Sequence, residues 1–347
     1  MERYHRQTPL KVLKSMWLAI RESNGQEIEH TRLVKQLQKI FTSAGDQIES
    51  YVTNAVVDNL IQVVDNPKRP KPKSVYHYTL PDITDFSFPE EHPDFYCYEC
   101  HLEGNVQKCT DCLRVFHREC VKTLTEKHAK LEEYVTNYKR VNISDFGLVA
   151  FSAPTVANVV TPPVDANENH TAPSDEVPAA KLLLRRPISM DTIQQKIEDS
   201  KYERLEQFCA DILDIAHNIG IIHGATSLEY NAVMYFVTDC IYDLFEIRQC
   251  PDCFRHSNEK AEPDWFARPC NTRHELVFAK HKGYQYWPAK VIRVVNNKYD
   301  VRFFGDKHSR AVVDTAFVKP IDSDLVQLKI NPKKPGFQKS MEELHKH

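Results

Sequence analysis

Helical and alternating hydrophobic patterns succeed one another along this chain, with two tight groups of cysteines between them, and together they predict a multidomain α+β protein. The first observation is a pair of regions, residues 10–56 and 189–247, in which apolar side chains recur every three or four positions. The second is a series of short β-branched and aromatic runs over residues 274–304, broken at Lys282-Gly283 and Asn296-Asn297. The third is that eight of the ten cysteines fall within 97–120 and 250–270. A length of 347 residues suits two or three domains, and no apolar run approaches the length of a membrane span. The N-terminal segment has no signal-peptide h-region, so an intracellular protein is expected, and there such cysteine spacing points to metal rather than disulfides.

Residues 1–85 read as three helices and a hairpin. Thr8-Pro9 precedes the stripe Leu10, Leu13, Trp17 and Ile20, with Pro at a permitted first position. A second stripe is Leu33, Leu37 and Ile40, and a third helix opens at Asp46 with Glu49 three residues on, a capping-box spacing, burying Ile48, Val52 and Val56. Two β-like runs, 60–64 and 75–80, flank a basic tip carrying Lys68, Arg69, Lys71 and Lys73. This is a winged-helix pattern: the third helix would enter a DNA groove while the four tip cations touch phosphate. A helical interaction domain with a solvated basic loop is the alternative.

Cys97, Cys100, Cys109, Cys112, His117 and Cys120 form the most specific motif, since an x2 spacing lets both sulfurs of a knuckle reach one Zn²⁺. The spacing resembles the PHD finger, a cross-braced reader of histone tails, placed here at 90–125. The resemblance implies a complete first site of Cys97, Cys100, His117 and Cys120. The second site retains Cys109 and Cys112 but lacks the final C-x-x-C, with His128 as an uncompelled third ligand. One zinc and a degraded second site are expected.

A helix is read over 130–140, and residues 141–180, rich in Pro, Asn and acidic groups, read as a long flexible insert. Three amphipathic helices follow: from Ser189 through Ile193 and Ile197, then 205–222 with Phe208, Ile212 and Ile215 inward, then 228–247 with Met234, Val237, Ile241 and Leu244 inward. Thr192-Ile193, Lys196, Tyr202, Phe208, Asp211 and Asn218 make the region 126–248 resemble a bromodomain. That family binds acetyl-lysine through an asparagine, but His223 stands at the corresponding position, so a structural bundle with weak or absent acetyl-lysine binding is implied. Cys250, Cys253 and Cys270 in 249–273 suggest a zinc knuckle, with His274 or His256 left to complete it, or no metal at all.

Residues 274–347 read as a small, strongly bent barrel. Adjacent strand residues face opposite ways, so one ring of Tyr286 and Trp287, and one of Phe303 and Phe304, enters the core while the other meets the mouth. Ring faces left open attract a quaternary ammonium; the competing reading buries them all. Residues 283–290, with Val301-Arg-Phe-Phe-Gly305 beyond, resemble a PWWP domain, in which the resemblance implies a methyl-lysine cage of Tyr284, Trp287 and Phe303. Ten Lys or Arg against four Asp or Glu over residues 271–320 suggest a polyanionic partner, with Lys280, Lys282, Lys290 and Arg293 as DNA contacts.

The order winged helix, PHD-like finger, bromodomain-like bundle, zinc knuckle and PWWP β-barrel with C-terminal helix resembles the tandem chromatin readers that carry a MYND zinc finger. The MYND finger is missing here, since no cysteine follows Cys270, so corepressor docking through it is not carried over. The resemblance implies a nuclear, zinc-bearing reader of trimethylated lysine 36 of histone H3 that contacts nucleosomal DNA in transcription regulation, with no small-molecule substrate. A DNA-binding or scaffold protein without methyl-lysine recognition is the alternative. An enzyme such as a RING-like ligase is not expected, because its cross-brace needs eight ligands and this finger offers six.

Overall fold

Leu10, Leu13, Met16 and Ile20 share one face of α1 (Leu10–Arg21) and all are buried, which is why a helix with no acidic first turn and no side-chain N-cap is held. The computed structural model describes residues 5–64, 76–84, 87–89, 91–109, 112–121, 176–305 and 307–347. Among them, residues through 121 with 176–237 form one compact unit, and 238–347 form another. The four wing cations, the 130–140 helix, His128 and the insert through 175 lie outside the described residues.

In the first unit, β1 (Ile28–Glu29) precedes α2 (His30–Ile40), and α3 (Ile48–Val57) precedes β2 (Gln62–Val63) and β3 (His77–Thr79). The strands form an antiparallel sheet in the order β1-β3-β2, with Ile28 and Val63 both opposite Tyr78. Leu33 and Leu37 from α2, with Ile48, Val52 and Ala55 from α3, complete the core begun by α1. Each such side chain fully withdrawn from water contributes roughly 1.5–3 kcal/mol. Trp17 Nε1 donates to Leu60 O at 2.8 Å, and Thr8 Oγ1 donates to Tyr51 O at 2.9 Å, which ties α1 to its neighbours. Three details depart from the sequence reading. Ile40 is exposed rather than inward. The Asp46–Glu49 capping box does not form, because residues 42–47 make a 3₁₀ turn and Gln47 takes the cap position. The helix expected to enter a groove exposes Glu49, Ser50 and Thr53 and carries no lysine or arginine.

The finger is the hairpin of β4 (Val106–Lys108) and β5 (Val115–His117), and the helices of the bundle in this unit are α4 (Glu176–Leu183), α5 (Met190–Glu198), α6 (Leu205–His223) and α7 (Leu228–Gln249). α7 belongs to it as far as Val237. Ser189 caps α5, its Oγ accepting from Thr192 N at 3.2 Å. α6 opens with Gln207 Oε1 accepting from the amides of Glu203 and Arg204, and it stops at Gly224, φ 91°. The buried face of α7 runs through Val233, Val237 and Cys240, while Met234 and Ile241, expected inward, are exposed.

α6 carries a buried polar seam that hydrophobic periodicity does not reveal: Asp211, Asp214, His217 and Asn218. Asp211 accepts from Lys196 Nζ and Tyr202 OH, each at 2.7 Å, and from Arg186 at 2.8 Å. Asp214 accepts from Arg186 at 3.0 Å, from Tyr98 OH at 2.9 Å and from Arg114 at 3.1 Å. His217 sits 3.2 Å from Asp94 and 2.8 Å from His101, whose other nitrogen is 2.7 Å from Tyr230 OH. Tyr98, Asp94, His101 and Arg114 belong to the finger, so the seam docks it onto α6. Burial lowers the pKa of His101 to about 4, which keeps the imidazole neutral inside this chain of hydrogen bonds.

Close approach makes Gly220 the tightest point of the dock: a Cβ there would stand 2.4 Å from His101 Cδ2. Alanine normally favours a helix interior over glycine by about 1 kcal/mol. Here the sign reverses, and Gly220→Ala is expected to destabilise the protein by roughly 1–3 kcal/mol in denaturant unfolding. The penalty should shrink in a His101→Ala background, and an unchanged penalty there would show that the clash is not with this ring.

Beyond α7, the second unit holds α8 (Pro251–Glu259), a five-stranded antiparallel sheet and α9 (Phe337–Lys346). The strands β6 (Leu276–Ala279), β7 (Trp287–Val295), β8 (Lys298–Phe303), β9 (Arg310–Asp314) and β10 (Val318–Pro320) lie in the order β10-β6-β7-β8-β9. Asn296 and Asn297 both take positive φ, 51° and 59°, giving the tight β7–β8 hairpin expected of them. A bulge between Val291 and Arg293 bends β7. The inner face packs Val277, Ala279, Ala289, Val291, Val301 and Val313. α9 buries Phe337, Ser340 and Leu344, and its Glu343 accepts from Gly305 N at 2.8 Å while pairing with His308 at 3.0 Å.

Candidate functional site

Two groups of four ligands come together in the described residues. Cys97, Cys100, His117 and Cys120 have their ligand atoms within 4.8 Å of one another, and so do Cys250, Cys253, Cys270 and His274. Four atoms bonded to one tetrahedral ion at ~2.0–2.3 Å stand roughly 3.3–3.8 Å apart. The spacings fit: Cys100 Sγ to His117 Nδ1 is 3.2 Å, Cys253 Sγ to Cys270 Sγ is 3.5 Å and Cys253 Sγ to His274 Nε2 is 3.3 Å. His274, not His256, completes the second set; His256 lies buried in α8, apart from the group. No third metal-ligating side chain joins Cys109 and Cys112 among the described residues.

Each histidine is oriented by its other nitrogen. His117 Nε2 donates to Glu103 O at 3.1 Å and His274 Nδ1 donates to Val291 O at 2.9 Å, which fixes the tautomer and aims the free nitrogen at the thiols. Hydrogen bonding with Cys100, helped by nearby amides, lowers the Cys97 pKa to about 4. Hydrogen bonding with Cys270 lowers that of Cys253 to about 3, with His274 and Lys290 adding to it. One thiol of each group is therefore held as a thiolate, while hydrogen bonding to that thiolate, together with burial, pushes its partner Cys100 or Cys270 up.

The strand register decides where the aromatic residues fall. Trp287 lies opposite Ala279 and Phe303 opposite Ala289, one diagonal step apart on the same side of the strands; Phe303 packs against the inner cluster and Trp287 against Phe278, Ile330 and Phe337. Phe304 takes the other face and is buried, as the alternation requires. Trp287 is half-buried; its Nε1 donates to Phe304 O at 2.8 Å and its ring stands nearly perpendicular to that of Phe337, centroids 5.3 Å apart. Tyr284, just after Gly283 with φ 86°, is 65% exposed, the most open of the three.

The expected DNA contacts divide. Lys282 is exposed and Lys280 half-buried. Lys290 is 2% exposed, donates to Phe266 O at 3.1 Å and cannot reach a phosphate. Arg293 is committed as well, pairing with Asp300 at 3.0 Å and lying over Phe245 at 4.5 Å. Charge counting misplaced both because strand residues 290 and 293 face protein. It also missed the exposed Lys334, beside Tyr284, and its exposed neighbour Lys333. Asn331 and Gln285 exchange hydrogen bonds that bring this loop in, and Lys334 Nζ stands 5.9 Å from the Tyr284 ring.

His223 is exposed at the last turn of α6, and the adjacent Ile222 carbonyl accepts from Lys14, so the end of this helix is used in packing. The residues that carry the bromodomain resemblance instead serve the seam: Lys196 and Tyr202 meet Asp211, and Asn218 Nδ2 donates to Arg186 O at 2.9 Å.

Comparison with known proteins agrees with this architecture. The PWWP domain family matches residues 274–347, and the bromodomain family matches residues 157–234. The chain is 30% identical over 234 residues to the MYND-type zinc finger-containing chromatin reader Zmynd8 of Drosophila melanogaster. That alignment covers 63% of this chain and 14% of the relative, so the chain spans a small part of the relative's length. The chain is thus related to a chromatin reader and combines a helical bromodomain region, a PWWP-region sheet and two Cys/His clusters able to hold metal.

Proposed function

We propose that this protein is a non-enzymatic, nuclear chromatin reader that binds the tail of histone H3 trimethylated at lysine 36 through Tyr284, Trp287 and Phe303. The observation that carries this reading is the register that sets Trp287 and Phe303 on one face, beside an exposed Tyr284. A trimethylammonium donates no hydrogen bond and is readily desolvated, so ring faces are its natural partners, worth roughly 0.5–2 kcal/mol. That is too little for tight binding by a peptide alone. Nucleosomal DNA supplies the rest, with Lys280, Lys282, Lys333 and Lys334 rimming the aromatic mouth and the wing cations Lys68, Arg69, Lys71 and Lys73 adding to counterion release. The bundle acts as a scaffold, since His223 lacks the amide that acetyl-lysine recognition uses.

Tyr284 offers the cleaner test, because Trp287 also braces Phe337 and its loss would disturb packing. Tyr284→Ala is expected to keep the thermal unfolding midpoint while losing preference for trimethylated over unmodified nucleosomes, measured by titration at fixed salt. Equal discrimination by variant and wild type would instead favour a scaffold or plain DNA-binding protein.

The ion in both clusters is zinc, as three thiolates with one imidazole in a closed four-ligand set suit a structural site. Metal analysis of the full chain is expected to find zinc in both, with Cys97→Ser and Cys250→Ser each removing one equivalent. A variant that loses nothing marks its cluster as metal-free.

A further inference from the structure

Lys290 poses a problem of charge. It is 2% exposed, and no carboxylate among the described residues pairs with it. Its ammonium has one carbonyl, Phe266 O at 3.1 Å, and the Phe266 ring face at 4.2 Å. A buried cation with so little compensation is strongly unfavourable unless an anion stands near. The register aggravates matters by setting Arg302 directly opposite Lys290 on β8, with its guanidinium 5.2 Å from the same ring. Glu246, an acidic group that acts on Arg302, is already bound to Arg310 at 2.8 Å.

The missing anion is supplied by what Phe266 belongs to. It lies in the loop between Cys253 and Cys270, which the second cluster closes. Three thiolates and one neutral imidazole around a divalent ion carry a net charge of one minus. Val291, next to Lys290, holds the cluster's His274 by its carbonyl, so the cation and the cluster share one stretch of β7. We propose that Lys290, with Arg302 beside it, is the counter-cation of the Cys250–Cys253–Cys270–His274 metal centre, and that the charge of this centre is what allows the barrel to bury Lys290. The two are then mutually dependent: the barrel retains the metal, and the metal neutralises a charge built into the barrel. This rests on the reading that the cluster holds zinc.

The test uses the full chain and its own first cluster as an internal reference. Lys290→Met keeps the hydrocarbon stem and removes the charge. Release of zinc to a chromogenic chelator from the second cluster is expected to quicken about tenfold or more, the usual scale for losing a group that supports metal ligands, while release from the first is unchanged. The gap in unfolding temperature between zinc-loaded and metal-stripped protein should also narrow, because the variant relieves the stripped form of an uncompensated cation. A merely structural lysine would lower both forms alike. Unchanged release together with an unchanged gap overturns the proposal. If Lys290→Met fails to fold in either form, Arg302→Met decides, and wild-type release in that variant overturns it. Should the wild type carry no more zinc than Cys250→Ser, the zinc reading itself fails, and the counter-cation proposal falls with it.

Discussion

The first unit depends on one constraint: α6 buries two aspartates, and buried carboxylates must be matched by donors. Asp214 is answered by Arg186 from the segment before α5 and by Tyr98 and Arg114 from the finger. A finger whose fully buried core, among the described residues, is Cys97, Val106 and Val115 has little apolar surface of its own to fix its orientation. Hydrogen bonds directed at a rigid helix supply what that small core lacks. Arg6 adds a second tie, lying 4.1 Å over Phe95 and donating to Tyr96 OH at 3.0 Å, so the N-terminal segment is held by the same finger. Removing one partner from such a network would strand the others unsatisfied, which makes the arrangement specific even where its net contribution to stability is modest.

The sequence made the periodic and the local features legible. Helix positions followed from apolar spacing, the Asn296-Asn297 turn from the tolerance of Asn for positive φ, and the cysteine pairs that seed each ligand cluster from x2 spacings. What escaped was whatever depends on a distant partner. β1 is two residues long and exists only because Tyr78 pairs with Ile28. The seam on α6 reads as an ordinary polar face until the finger arrives to cover it. The choice of His274 over His256 was open in sequence because both lie within reach of Cys253; the chain trace settles it by placing His274 at the entry to β6, where Val291 O can hold it. Lys290 and Arg293 were misjudged for the same reason, since a cation count says nothing of which strand face meets protein.

Both ligand clusters follow the same design at different scales. Short loops between thiol pairs cannot bury a core, so each is fixed by a histidine at the edge of regular structure, His117 at the end of β5 and His274 just ahead of β6. In each case the second ring nitrogen is spent on a backbone carbonyl. The backbone therefore sets the direction of one ligand, and that ligand in turn sets where the loop can lie.

Trp287 shows how a residue of the proposed recognition surface is shared with the fold that carries it. Its indole nitrogen is bound to Phe304 O, and its ring packs perpendicular to Phe337 of α9. Gly305, at φ 109°, brings the chain so close that a Cβ would lie 3.7 Å from that nitrogen and 3.3 Å from Ser340 Cβ. A ring held through its nitrogen and packed against a neighbour keeps its orientation, and a cation binds best to a face that need not be ordered first. On the proposed methyl-lysine reading, the half-burial of Trp287 means that its orientation is set by Phe304 and α9 before a ligand arrives. On the same reading, the exposed Tyr284 would supply the half of the contact that adapts.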